Sequence, residues 1–135
     1  MRELTIAATV ENIEVVTDFV NEQLVALDCP IKAQMQIDIA IDELFGNIAH
    51  YAYYPGVGEV TVCVEFLEDP QAVVITFIDG GIAYDPLEKE DPDTTLSAEE
   101  REVGGLGIYI VKKSMDEVSY EYKDGRNHLK IKKLL

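Results

Sequence analysis

Three short stretches of this 135-residue chain combine residue types that can do chemistry. The first is Asp42-Glu43-Leu44-Phe45-Gly46-Asn47. On a helix, Glu43 and Asn47 lie four residues apart and project side by side. A carboxylate in that place can take a proton from an attacking hydroxyl, and an amide oxygen beside it is a hard ligand that suits Mg2+. Asp42 stands one step round and reads as solvent-facing or as a local hydrogen-bond partner. The same spacing is also common on plain solvated helix faces. The second stretch is Phe77-Ile78-Asp79-Gly80-Gly81. Asp79 has the parity of Val73, Ile75 and Phe77, so it points to the side those residues bury, where a carboxylate is costly unless it accepts hydrogen bonds. An adenine amine is one suitable donor, and Gly81 lets a base approach the backbone. The simpler reading is a strand-ending turn. The third is Val103-Gly104-Gly105-Leu106-Gly107-Ile108. Glycines ahead of a helix leave N–H groups free to face an anion, and the helix dipole favours negative charge there. They can equally be a hinge and cap.

The elements that must position these residues follow from periodicity. Residues 3–9 read as a strand with Leu4, Ile6 and Ala8 on one side. Residues 11–27 read as a helix on Ile13, Val16, Val20, Leu24 and Leu27. After the Asp28-Cys29-Pro30 break, a second helix spans about residues 31–53, with Ile37, Ala40, Ile41, Leu44 and Ile48 as its buried stripe. The period then changes to two. Residues 59–66 put Val60, Val62, Val64 and Phe66 inward, and the continuous apolar run of 72–79 suits a central strand. Residues 80–105 read as a long loop with a short helix near 97–102, followed by a third helix over 106–115. The tail is a hairpin of residues 117–123 and 128–134 around the turn Asp124-Gly125-Arg126-Asn127. This order predicts an α+β fold, a mixed and largely antiparallel sheet with three helices on one face. The length predicts a single domain over 1–135.

Composition narrows the function. The net charge is −15, from 11 basic and 26 acidic residues, which argues against direct binding of nucleic acid and against docking on anionic membrane. It leaves room for a nucleotide held by backbone N–H groups and a metal. The amino end lacks a signal-peptide design, no apolar run is long enough to span a membrane, and Cys29 and Cys63 form no metal-type pair, so a cytoplasmic protein with reduced thiols is expected. His50 and His128 stand on different elements with nothing to pair them as ligands, although His50 lies about one turn beyond Asn47. Tyr51, Tyr53 and Tyr54 read as helix-end packing. The loop carries Asp85, Glu88, Glu90, Asp91, Asp93, Glu99, Glu100 and Glu102 against Lys89 and Arg101. It suits a lid over residues 86–103 that also meets a partner, or a solvated loop.

In order and spacing, the three stretches resemble the boxes of the ATP-binding domain shared by histidine kinases, gyrase, heat-shock chaperones and mismatch-repair ATPases. Glu43 and Asn47 match the first box, Asp79 and Gly81 the Asp-x-Gly box, and Gly105 and Gly107 the later glycine box. Gly104-Gly105-Leu106-Gly107-Ile108-Tyr109-Ile110-Val111, Met115-Asp116-Glu117-Val118 and Gly125-Arg126-Asn127-His128-Leu129 are similar to the short anti-sigma-factor serine/threonine kinases of bacteria. In that group an arginine commonly precedes the glycine box by two or three residues and meets the terminal phosphate. Here Glu102 and Val103 stand before Gly104, and the nearest arginine is Arg101.

The resemblance implies an enzyme that binds ATP or ADP with Mg2+ and transfers the γ-phosphoryl group to a serine or threonine of an antagonist protein of the anti-anti-sigma type. A sigma factor or other regulator would be a further partner. Glu43 would be the base, with Arg101 at the phosphate. Asn47 would be the metal ligand, Asp79 with Gly81 the adenine reader, and Gly104, Gly105, Leu106 and Gly107 the phosphate loop. Two alternatives stand beside it: a nucleotide-gated binding module that sequesters a partner without phosphorylating it, and a histidine-kinase-type ATPase domain acting in trans. Whether the chain works alone or as a homodimer stays open.

Overall fold

The computed structural model describes residues 1–88 and 106–135. Strand β1 (Arg2–Ala7) leads through a 3-10 turn at Val10–Asn12 into helix α1 (Ile13–Ala26). Helix α2 (Ile31–Asn47) continues as a π turn (Ile48–Ala52). Strands β2 (Glu59–Leu67) and β3 (Ala72–Asp79) follow, then a 3-10 turn at Pro86–Glu88. Helix α3 (Leu106–Ser114) precedes strands β4 (Glu117–Lys123) and β5 (Arg126–Leu134).

The five strands form one sheet in the order β1-β2-β3-β5-β4, and every pairing is antiparallel. The sheet is thus more uniform than the mixed, largely antiparallel one expected. The largely apolar β3 is its middle strand, in keeping with its hydrophobic composition. Register lines up the buried side chains in rows. Val64, Ile75 and Ile131 form one, and Val62, Phe77 and Leu129 the next. Asp79 ends the same parity, level with Val60 on one side and Asn127 on the other. The helices cover this face. Val16, Val20 and Leu24 of α1, Ile37, Ile41 and Leu44 of α2, and Ile108 and Val111 of α3 share one core with those rows. Asp79 therefore sits where the apolar layer under the helices runs out.

Each helix ends for a local reason. Asp28 takes a positive φ of 54°, and its N–H and that of Cys29 return to the carbonyls of Val25 and Leu24, at 3.1 Å each. This paired closure terminates α1, and Pro30 prevents its resumption. Leu27, expected in the buried stripe, falls beyond the last helical residue and is exposed. Helix α2 carries the expected stripe, but its α-helical part stops at Asn47 and not near residue 53. The hairpin turn is tighter than expected. Only Asp124 and Gly125 lie between the strands, with φ of 53° and 74°, the double positive-φ geometry that Asp-Gly favours. Arg126 and Asn127 consequently belong to β5.

Of the lid expected over 86–103, only its first residues lie among those described. Pro86 is buried and Leu87 packs against the core, so this end is anchored by apolar contact. Asp85 fixes the turn by accepting from the Leu87 N–H at 2.8 Å. The rest of the lid, with the helix expected at 97–102, lies outside the described residues.

Candidate functional site

A cavity of about 420 Å³ opens between the end of α2, the tips of β3, β4 and β5, and the start of α3. That is within the range of small-molecule sites. Glu43 and Asn47 line one part of it and Asp79 another, while Ile48, Ile108 and Leu129 supply apolar wall.

At the first part, Glu43 and Asn47 stand one turn apart on α2, both half-buried. The Asn47 amide donates to Glu43 Oε1 at 3.1 Å. With its nitrogen so engaged, the amide leaves its oxygen as a ligand for a metal, and the carboxylate keeps Oε2 for a proton. Gly107, near the start of α3, packs directly on this carboxylate. A Cβ built there would lie 2.1 Å from Glu43 Cδ, so the glycine is what lets α3 approach this side chain so closely. Leu106 opens α3 and is exposed. Gly104, Gly105 and Arg101 lie outside the described residues.

The π turn joins the first part to the second. It delivers the Ala52 carbonyl to the N–H of Ile82 at 3.1 Å. A Cβ on Gly81 would lie 2.3 Å from that same carbonyl oxygen. Gly81 is thus demanded by the helix end as well as being placed beside the cavity wall. A π turn within an α-helix often marks a functional site. Here it sets how far Glu43 and Asn47 stand from the Asp-Gly-Gly turn.

Asp79 is 5% exposed. Its Oδ1 accepts from the Gly81 N–H and from the Asn127 amide, each at 2.9 Å. Among the described residues no group donates to Oδ2. A buried carboxylate with one unmet acceptor in a cavity wall is suited to a ligand N–H.

Two supporting residues do more than the sequence predicts for them, Tyr53 beyond helix-end packing and Asn127 beyond a turn position. Tyr53 donates its hydroxyl to the Glu59 carbonyl at 2.6 Å and accepts from the Gly80 N–H at 2.7 Å, latching the turn after Asp79. Gly58 makes room for its ring, which a Cβ there would meet at 2.3 Å. The other is Asn127, assigned to a turn from sequence. The Asp-Gly pair that shortens the hairpin was the available signal, because it puts Asn127 on the buried parity of Leu129 and Ile131. His50 is exposed and does not line the cavity, whereas Tyr51 stands at its edge, 65% exposed.

A sequence model of the histidine kinase-like ATPase domain matches residues 6–133, nearly the whole chain. The chain belongs to that family. As a histidine kinase-like ATPase domain it is a nucleotide-binding protein, and the cavity fits that reading. Among curated proteins, serine/threonine-protein kinase BtrW of Bordetella bronchiseptica is 28% identical over 98 residues, covering 73% of this chain and 68% of BtrW. Serine-protein kinase RsbW of Bacillus cereus is 31% identical over 98 residues, covering 70% of this chain and 60% of RsbW. RsbW of Bacillus thuringiensis subsp. konkukian is 30% identical over the same length, with the same coverage. This chain is therefore similar to about three-fifths of the RsbW proteins and to two-thirds of BtrW.

The residues present also fit a magnesium nucleotide. No group of three or more His, Cys, Asp or Glu able to hold a metal occurs among the described residues. Mg2+ is commonly held by one or two protein groups together with substrate phosphates, which the free oxygen of Asn47 suits. No helix among those described is long and apolar enough to cross a membrane.

Proposed function

We propose that this ATPase domain is a cytoplasmic serine/threonine protein kinase of the anti-sigma-factor type. It binds Mg-ATP, phosphorylates an antagonist protein of the anti-anti-sigma type, and sequesters a regulatory partner such as a sigma factor. The observation that carries the reading is the hydrogen-bonded Glu43–Asn47 pair in the same cavity as the buried, half-satisfied carboxylate of Asp79. The names of the similar kinases support the choice of reaction.

Asp79 Oδ2 accepts the exocyclic amine of adenine, and Ile48, Ile108 and Leu129 exclude water from the base. The phosphates then extend toward Glu43, Asn47 and the start of α3. Asn47 Oδ1 would hold Mg2+, which would supply charge neutralisation at the phosphate oxygens. Glu43 Oε2 takes the proton of the incoming serine or threonine hydroxyl as its oxygen bonds to the γ-phosphorus. The bond from that phosphorus to the β,γ-bridging oxygen breaks, and ADP leaves. Most of the rate comes from positioning and charge stabilisation. By the resemblance, Gly104, Gly105, Leu106 and Gly107 would supply the phosphate loop and Arg101 would meet the terminal phosphate; of these, Leu106 and Gly107 lie among the described residues.

The test is transfer of label from γ-labelled ATP, in the presence of Mg2+, to proteins of the native cell extract and to purified antagonist candidates. Label on serine or threonine, abolished in Glu43→Gln, is expected. ATP-dependent capture of a partner with no label transferred would favour the nucleotide-gated binding module.

A further inference from the structure

Asn127 is buried in the described structure, 6% exposed, at the entry of β5. Its side chain has two N–H donors and two acceptor lone pairs. All four are in use. Nδ2 donates to Asp79 Oδ1 at 2.9 Å and to the Ile82 carbonyl at 2.8 Å. Oδ1 accepts from the Tyr84 N–H at 3.1 Å and from the Tyr120 hydroxyl. A flipped amide would face two donors with its nitrogen and two acceptors with its oxygen, so its orientation is fixed. It also has no capacity left for a ligand.

We infer that Asn127 is a positioning residue that makes the site selective for a base carrying an exocyclic amine, by holding Asp79 Oδ1 so that Oδ2 alone faces the ligand. This rests on the ATP-binding reading above and extends it to base selectivity. With Oδ1 doubly occupied by Gly81 and Asn127, the carboxylate has a single acceptor to offer the cavity. An amine satisfies it. A purine with hydrogen at that position leaves it unmet, and a purine with a carbonyl there sets two acceptors against each other. Tyr120 keeps this arrangement in place across neutral pH. Burial raises its pKa above the usual tyrosine value, and the charges of Asp85 and Asp79 add to the rise against a backbone hydrogen bond at Tyr84. The hydroxyl therefore remains a donor to Asn127. Ile82 and Tyr84, both lining the cavity, are tied to the same amide, so one residue aligns the carboxylate and the wall beside it.

The experiment compares affinities for ATP, the triphosphate of purine riboside, which lacks the amine, and ITP, which carries a carbonyl. Wild type should prefer ATP over the amine-free analogue by roughly tenfold to a hundredfold, the scale of one charged hydrogen bond. In Asn127→Leu that ratio should fall to about threefold or less, chiefly through weaker ATP binding, with the analogue little affected. A purely structural role would weaken both nucleotides together and preserve the ratio, which would overturn the inference. Should Asn127→Leu fail to fold, Tyr120→Phe removes one hydroxyl and no bulk. Its ratio should drop by about threefold, and an unchanged ratio would overturn the inference equally. Wild type that binds neither nucleotide would instead overturn the ATP-binding reading on which it rests.

Discussion

The side-chain amide of Asn47 donates to Glu43 Oε1 at 3.1 Å across one turn of α2. The bond orients both groups. Asn47 keeps its oxygen, and Glu43 keeps Oε2. Glu43→Gln preserves an acceptor for Asn47 while removing the proposed base. It should leave nucleotide affinity within about twofold and slow phosphotransfer by roughly a hundredfold or more, the scale of a lost general base. Single-turnover transfer beside calorimetric binding measures both. A Gln variant as fast as wild type would remove Glu43 from the chemistry.

Two glycines in the site should respond differently to the same change. A Cβ on Gly107 meets the mobile end of the Glu43 side chain, while one on Gly81 meets the backbone of Ala52. Gly107→Ala should therefore fold, helped by about 1 kcal/mol of helix propensity, and lose phosphotransfer by about tenfold or more as Glu43 is pushed aside. Gly81→Ala must move the π turn or the Asp-Gly-Gly segment, and should lower stability by about 1–3 kcal/mol. Thermal unfolding and transfer rates on the two variants check the contrast. Equal stability losses would refute it.

Much of this was legible because periodicity reports burial. The stripe Ile37, Ile41, Leu44 and Ile48 identified α2, and with it the adjacency of Glu43 and Asn47. The alternation Val60, Val62, Val64 identified β2, and the parity of Asp79 with Phe77 identified a buried carboxylate. The π turn was not legible. A helical hydrophobic pattern continues through residue 53, and the change of winding is accompanied by tertiary bonds, Ile82 N–H to the Ala52 carbonyl among them, that sequence does not reveal. The place of Asn127 is not legible because the sequence predicts a four-residue turn where the positive-φ pair Asp124-Gly125 closes the hairpin in two. Tyr53 shows the same limit, since its two backbone partners, Glu59 and Gly80, are brought together only by the fold.

Away from the site, Asn21 and Asp38 face each other between α1 and α2. Burial raises the Asp38 pKa above the ordinary carboxylate value, and a hydrogen bond from Asn21 works against the rise. Asn21 Oδ1 and Asp38 Oδ1 are both buried without a partner. Because the folded pKa is raised, the contribution of Asp38 to stability is fully present below its unfolded pKa and is lost as pH rises through the folded one. At neutral pH the ionised side chain is a net cost. Asp38→Asn supplies a donor for Asn21 Oδ1 and removes the buried charge. It should raise the melting temperature at pH 7 by about 2–5 °C, a gain that vanishes below about pH 4. A lower melting temperature at pH 7 would contradict this.

Calorimetric titration of Mg-ATP into wild type and Asp79→Asn tests most directly the proposed role of Asp79 as the nucleotide's reader. The variant amide can still present its oxygen to the Gly81 N–H and the Asn127 amide, which turns its own NH2 toward the base, donor against donor. Wild type should bind one equivalent of ATP, and Asp79→Asn, with its melting temperature little changed, should bind roughly tenfold to a hundredfold more weakly. Equal affinity in the two proteins, or no binding by wild type, would contradict the account.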